Sequence, residues 1–304
     1  MATHENDEGH PKAELLVYGF GAVSLLSSLC VGGGAFWLSQ SKLFASLATL
    51  AMLRMYFGVA GGVKGINRAV GDGTLSLTRP PLPQNKPPGK VRLCFISDTH
   101  NSTPVLPEAD ILVHCGDFTL AGTAKELNSF CDWLESQPHP HKVVVCGNHD
   151  FCLENKHNNP ENILVRQRLC GIATVLENQG AEVCGLQFWG APQTPNIPRR
   201  KPMAFQGESA TLDPYWKQIP SGLDVLVTHG PPKGYGDRIL LGMQVGCPLL
   251  HQHIASLSVP PKLHAFGHIH EGYGIYPSIS TLYINCAISN TLYQPIHPPI
   301  VLDL

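Results

Sequence analysis

Charge is what this sequence has least of. Only 14% of its 304 residues are Asp, Glu, Lys or Arg, against roughly 25% in ordinary soluble domains. The 21 basic and 23 acidic side chains nearly cancel, leaving a formal charge of −2. With so small a balance, no broad footprint for nucleic acid or acidic lipid is visible. The sequence also has no Cys-x-x-Cys pair, so a thiolate zinc knuckle or a dithiol redox centre is not expected. Its ten cysteines are scattered. Cys94, Cys115 and Cys146 sit inside apolar runs and Cys131 falls on a helix face, which fits reduced thiols better than a disulfide framework. No internal repeat is evident.

The shortage of charge is concentrated at the N-terminus. Residues 1–14 form an acidic polar tail, and Leu15 to Leu38 then carries no charged side chain over 24 positions. That is long enough to span a bilayer at ~1.5 Å per residue; a buried core helix is the alternative. The flanks are wrong for a cleaved secretory signal, which starts basic and has a shorter apolar centre. A second apolar stretch, Leu43 to Val63, is interrupted by Arg54. Its eight Leu, Phe and Val side chains favour insertion by ~0.3–0.6 kcal/mol each, against ~2.5–3.5 for a central Arg, so the sum is near zero. Residues 15–63 therefore read as a hydrophobic membrane anchor of one or two helices. Residues 64–89 follow as a basic, Pro-rich linker. Its lysines and arginines place the remainder of the chain, residues 90–304, on the cytosolic side of a membrane.

Chemistry begins where five apolar runs end. Val91 to Ile96 leads into Asp98 and His100, Ile111 to Cys115 into Gly116-Asp117, and Val143 to Cys146 into Gly147-Asn148-His149-Asp150. Val225 to Val227 leads into His229, and Leu263 to Phe266 into Gly267-His268-Ile269-His270. Short Val/Leu/Ile runs closed by turn residues read as buried strands, and open α/β sheets carry their chemistry at the strand exits. Asp, His and Asn are oxygen and imidazole donors, suited to Mn, Fe, Zn or Mg. A single ion would use about four of the seven groups on offer. Two ions sharing a carboxylate use all of them, at the separation of roughly 3.5–4 Å that clamps a phosphoryl group. Asp98 and His100 alternate along an extended segment, so a kink at Thr99 is needed to turn both to one ion.

The ordered words Asp-x-His, Gly-Asp, Gly-Asn-His-Asp, Thr-His-Gly and Gly-His-x-His resemble the calcineurin-like metallophosphoesterase superfamily. Gly-Asp-Phe-Thr, Thr-His-Gly-Pro-Pro, Gly-Tyr-Gly-Asp and Gly-His-Ile-His-Glu-Gly-Tyr-Gly narrow the resemblance to its metallophosphoesterase-domain-containing, phosphodiesterase-like subfamily, from about Lys90 to Leu304. The resemblance implies a four-layer α/β/β/α sandwich with mixed sheets, here preceded by the N-terminal membrane-anchor region. It implies two divalent cations, Mn²⁺ first, with Asp98, His100 and His270 on one and Asn148, His229 and His268 on the other. Asp117 would bridge them. His149 would be catalytic, facing the leaving group as an acid or an electrostatic partner for the phosphoryl oxygens. Some subfamily members lack the first His of Gly-His-x-His; His268 is present, which favours an active enzyme. The implied function is hydrolysis of phosphodiester bonds, nucleotides or cyclic nucleotides among them, by metal-activated water at a membrane. Two alternatives share the motif set: a membrane-anchored nucleotide-binding or scaffolding protein with little catalysis, and a protein phosphatase.

Outside the motifs, Arg199 and Arg200 in the Pro-rich loop 191–201 are candidates to contact substrate phosphate, with a solvated basic loop as the plainer reading. Tyr235 is a candidate wall of the substrate pocket. His114 and His264, inside apolar strands, read as satisfied core histidines. His139, His141, His251, His253 and His297 read as solvated. Thr123 to Glu126 spells a capping box opening a helix that buries Leu127, Phe130, Cys131 and Leu134, and Pro160 to Leu169 reads as a second helix. Thr174 to Leu176 and Glu182 to Trp189 read as an antiparallel pair around Asn178-Gln179-Gly180. Asp213-Pro214 reads as the cap and first position of a short helix, and Leu249 to Leu257 as a further one.

Overall fold

The computed structural model describes residues 86–154, 159–196, 202–240 and 242–304, all within one compact unit, Arg79–Leu304. The tail, the apolar stretch 15–63, nearly all of the linker, and Arg199 and Arg200 lie outside the described residues. Among the described residues no helix is long and apolar enough to cross a membrane.

Strand β1 (Arg92–Ile96) shows why the runs fold as they do. Leu93 and Phe95 point to one face, Cys94 and Ile96 to the other, and all four are inaccessible to water. A parallel strand covered on both faces is expected to read as continuous apolar sequence. β2 (Ile111–His114), β3 (His141–Val144) and β4 (Thr174–Val175) follow in parallel register, and β13 (Ile300–Asp303) closes the other edge antiparallel to β1. Arg92 Nε and Nη2 clamp the Asp303 carboxylate at 2.8 and 2.9 Å across that last pair.

The second sheet has the order β11-β12-β10-β9-β6-β5, from strands β5 (Gln179–Val183), β6 (Leu186–Ala191), β9 (Val225–Thr228), β10 (Leu263–Phe266), β11 (Gly274–Pro277) and β12 (Leu282–Asn285). Its centre is parallel and its two edges are antiparallel. A short pair, β7 (Thr194–Pro195) and β8 (Gln206–Gly207), stands apart.

Three apolar layers stack these elements into a four-layer sandwich. Leu93, Phe95, Ile111, Val113 and Val143 meet Phe188, Val225, Val227, Leu263, Ala265 and Ile284 between the sheets. The outer face of the first sheet packs on helices α1 (Ala124–Ser136) and α2 (Pro160–Ile172) through Leu127, Phe130, Leu134, Val165 and Leu169. The outer face of the second packs on α3 (Ser209–Trp216) and α4 (Pro248–Ser256) through Leu212, Trp216, Leu250 and Ile254. Helix α1 starts as its sequence requires: Thr123 Oγ1 accepts from Glu126 N at 3.2 Å while Glu126 Oε2 accepts from Thr123 N at 3.0 Å.

Two local expectations are corrected. The antiparallel hairpin turns at Cys184 (φ 53°) and Gly185 (φ 77°), not at Asn178 to Gly180. Two successive positive φ values are what a two-residue hairpin turn needs, and a Cys at the first of them disguised it as strand interior. Thr174–Val175 pairs with β3 in the other sheet instead. Helix α3 starts at Ser209, so Pro214 lies inside it. An interior Pro costs about 3 kcal/mol; burying Leu212 and Trp216 against α4, at roughly 1.5–3 kcal/mol each, offsets it.

His114 and His264 are both fully buried. His114 Nε2 lies 3.0 Å from Thr99 Oγ1, and its Nδ1 accepts from Gly116 N at 3.3 Å. Thr228 Oγ1 donates to Gly230 O at 2.7 Å and takes the His264 Nε2 proton at 2.8 Å. Burial pushes each imidazole down to about 3. The unfolded chain therefore binds protons that the folded chain refuses between pH ~6.5 and about 3, so stability falls as pH falls through that window. Each histidine contributes about 1.4 kcal/mol per pH unit there. His264→Gln should flatten the acid limb by that slope in urea titrations run at pH 7, 6 and 5; parallel limbs for the two proteins would contradict the assignment.

Candidate active site

The exits of β1, β2, β3, β9 and β10 meet at one edge. Asp98 (φ 56°), His100 (φ 43°), Asp117 (φ 56°) and His268 (φ 68°) all take left-handed backbone, uncommon away from glycine. The expected kink thus falls on Asp98 and His100 themselves rather than on Thr99. The backbone pays for it by pairing two loops: Asp98 N donates to Gly116 O, His100 N to Asp117 O and Asn101 N to Phe118 O, at 2.9–3.1 Å. Glycines 147 and 267 open these words because a methyl group at either would overlap a carboxylate oxygen, of Asp117 and Asp98 respectively.

Donor atoms converge in three overlapping sets: Asp98, His100 and His270; His100, Asp117 and His149; Asp117, His229 and His268. His270 Nε2 lies 3.3 Å from Asp98 Oδ1 and 3.3 Å from His100 Nε2. Asp117 faces both ways. Its Oδ1 is 3.4 Å from His229 Nε2, while its Oδ2 is 4.0 Å from both His100 Nε2 and His149 Nε2. Asn148 Oδ1 joins the His229 side at 3.0 Å. All eight motif residues proposed from sequence are therefore brought together.

Backbone carbonyls orient the imidazoles. His100 Nδ1 contacts Thr119 O at 3.2 Å, His229 Nδ1 Cys115 O at 2.9 Å, His270 Nδ1 Asn290 O at 2.7 Å and His149 Nδ1 Leu120 O at 2.6 Å. With Nδ1–H given to a carbonyl, each Nε2 is left facing the centre, the usual preparation of a metal-ligating histidine. His268 is fixed instead by its backbone N–H, which donates to Asp98 Oδ2 at 2.9 Å.

Electrostatics show what the site asks for. Burial alone would raise Asp98, but the His270 hydrogen bond and the neighbouring imidazoles hold it below the usual carboxylate range. Asp117 is likewise held low, by His229 against burial. In return, and against burial, Asp117 lifts His229 to about 10 and Asp98 lifts His270 to about 9. Burial and the His229 charge push His268 down to about 3. Two buried carboxylates thus draw positive charge into a pocket lined with oxygen and imidazole donors. Divalent cations fit that donor set, and their uptake would displace the two bound protons.

Asp150 and the Ser289–Gln294 loop were not assigned roles from sequence. Asp150, fully buried, accepts from Asp117 N (3.0 Å), Gly147 N (2.7 Å), Thr119 N (3.0 Å) and Thr119 Oγ1 (2.7 Å), locking the second motif to the third. Burial and the Asp117 charge still push its carboxyl up to about 7. Its signal was present as the last letter of Gly-Asn-His-Asp, where an Asp also reads as a turn residue. Ser289 Oγ donates to Asp98 O at 2.6 Å, and Tyr293 lies against three of the histidines; no motif marks that loop.

Tyr235 does not line the cluster. Its ring stacks on Tyr283 (centroids 3.8 Å apart) and on His251, a residue of α4, on the helical side of the second sheet. His139 is buried with Nε2 on Pro107 O at 3.0 Å, and His297 stacks on Tyr273, so neither is simply solvated. His253 Nε2 likewise contacts Ile219 O at 3.1 Å. Arg199 and Arg200 lie outside the described residues.

Residues 91–272 match the family model of the calcineurin-like phosphoesterases. The chain belongs to that family. Within it the similarity runs to the metallophosphoesterase-domain-containing subfamily: the human and mouse proteins named metallophosphoesterase domain-containing protein 1 are each 36% identical over 253 residues, 74% of this chain and 74% of theirs. A Caenorhabditis elegans UPF0046 protein is 34% identical over 71% of this chain and 81% of its own. One solved structure shares the fold at a TM-score of 0.53 with 16% identity, over 65% of this chain and 91% of that one.

Proposed function

We propose that residues 90–304 form a dimetal phosphodiesterase, a finer reading of the metal-dependent phosphoester hydrolysis that the family suggests. Asp98, His100 and His270 would hold one cation and Asn148, His229 and His268 the other, with Asp117 between them. The observation that carries the reading is the two-sided Asp117 carboxylate, each oxygen turned to a different histidine set. Divalent cations there, Mn²⁺ by preference, would supply the charge that polarises a phosphoryl oxygen and acidifies water. The chain's own part is to hold the carboxylates dry, to fix His100, His149, His229 and His270 through Nδ1, and to fix His268 through its backbone N–H. His149 Nε2 faces the cluster 4.0 Å from Asp117 Oδ2; in its protonated form it is placed to give that proton to the departing alkoxide.

The proposed substrates are phosphodiesters, nucleotides and cyclic nucleotides among them. The apolar stretch 15–63 is proposed as a membrane anchor that leaves the domain in the cytosol, on the strength of the uncharged run 15–38 and the basic residues that follow. Full-length protein supplied with Mn²⁺ should cleave bis(p-nitrophenyl) phosphate faster than p-nitrophenyl phosphate, stop with EDTA and recover on adding Mn²⁺. Absence of turnover with Mn²⁺, Fe²⁺, Zn²⁺ and Mg²⁺ alike would sink the enzymatic reading.

A further inference from the structure

Tyr293 is an aromatic residue in an unfavourable place. Its backbone is left-handed, φ 60°, a conformation costing a side-chain-bearing residue roughly 1–2 kcal/mol. Its side chain is not repaid by full burial, since the residue keeps 45% of its surface in water. A built turn holds it there. Asn290 Oδ1 accepts from Leu292 N (2.9 Å) and Gln294 N (3.0 Å), Asn290 N donates to Gln294 O (2.9 Å), and Tyr293 N donates to Asn290 O (2.9 Å). The same Asn290 carbonyl takes the His270 Nδ1 proton at 2.7 Å. The turn that presents Tyr293 is therefore tied directly to a candidate metal ligand.

The ring lies 4.7 Å from His100, 5.5 Å from His270 and 6.0 Å from His149, centroid to centroid, close to perpendicular to each. It stands beside the first cluster and also against His149, the residue proposed above to serve the leaving group. Leu292 (64% exposed) and Ile296 (57%) are further exposed apolar residues close by in the sequence. Leu120, whose carbonyl holds His149, is also exposed. The candidate phosphoryl centre is thus bordered, beside His149, by a half-exposed aromatic ring whose loop carries further exposed apolar residues. Backbone strain kept at a site mouth points to use, and an exposed ring beside the phosphorus position offers a surface on which a planar group can stack.

We propose that Tyr293 is a specificity-determining residue, a platform that favours phosphoesters whose leaving group carries a planar aromatic or heteroaromatic ring over those with an aliphatic one. The proposal rests on the phosphoester reading above, so its test uses binding rather than turnover. Full-length Mn²⁺-loaded protein is titrated calorimetrically with phenylphosphonate and with cyclohexylphosphonate, which share charge and approximate size and differ in planarity. Wild type should bind the phenyl compound about three- to tenfold more tightly, the range expected of one aromatic contact. Tyr293→Phe should keep that ratio. Tyr293→Gly, which removes the ring where glycine's backbone is at ease, should bring it close to one with the bound Mn²⁺ unchanged. A wild-type ratio near one, a ratio that survives Tyr293→Gly, or loss of Mn²⁺ in that variant would overturn the platform; the last would make the ring a brace for His100 and His270. Binding of neither phosphonate by wild type would instead defeat the phosphoester reading itself, and the platform with it.

Discussion

Asp117→Asn should fold normally and fail to work. The amide keeps an oxygen to accept from His149 N, now at 2.7 Å from Asp117 Oδ1, so the loop retains its shape. What disappears is the negative charge facing both histidine sets and holding His229 up to about 10. Losing a mere hydrogen-bond partner of a metal ligand costs 10–100-fold in affinity or activity, and Asp117 is assigned as a ligand to both cations. Metal content should therefore drop below two per chain, and turnover with Mn²⁺ should fall by more than about a hundredfold. Elemental analysis and rate measurement on the same sample check both statements. Turnover within about tenfold of wild type would exclude a bridging role.

Asp150→Ala should be the most destabilising single change at the site, by about 3–5 kcal/mol. The carboxylate collects four donors from Asp117, Gly147 and Thr119, and the residues it binds are screened from water. Alanine leaves the three backbone N–H groups without an acceptor, each a potential loss of about 1–3 kcal/mol before water enters, while Thr119 Oγ1 keeps His149 O at 3.1 Å. Asp150→Asn retains one acceptor oxygen and should cost clearly less. Urea unfolding of the three proteins at pH 7 orders them. A loss below about 1 kcal/mol in Asp150→Ala would mean that the N–H groups find other partners.

The site was legible from sequence to the extent that its residues sit next to strand ends. Ile96, Cys115, Cys146, Thr228 and Phe266 each run within a few positions of a ligand, so locating the strands located the donors. What sequence hides is anything that depends on how one loop meets another. The kink was expected at Thr99 because local alternation was all that could be read; its placement on Asp98 and His100 follows from pairing with residues 116 to 118. Asp150 received no role because its partners Asp117 and Thr119 lie more than thirty positions away. Tyr235 sat in a Gly-rich word beside His229 and looked like a pocket wall, yet Tyr283 and His251 draw its ring to the helical face. The capping box of α1 needed no distant partner and was read correctly to the residue.

The donor sets straddle the sandwich. Asp98, His100, Asp117 and Asn148 hang from the first sheet; His229, His268 and His270 hang from the second. Under the proposed assignment each cation would take ligands from both, adding ties at the site edge between two sheets that already meet through Phe95, Phe188 and aliphatic side chains and through direct bonds such as Ile288 N to Ser97 O. Whatever pries the sheets apart at that edge would then disturb both cation sites at once.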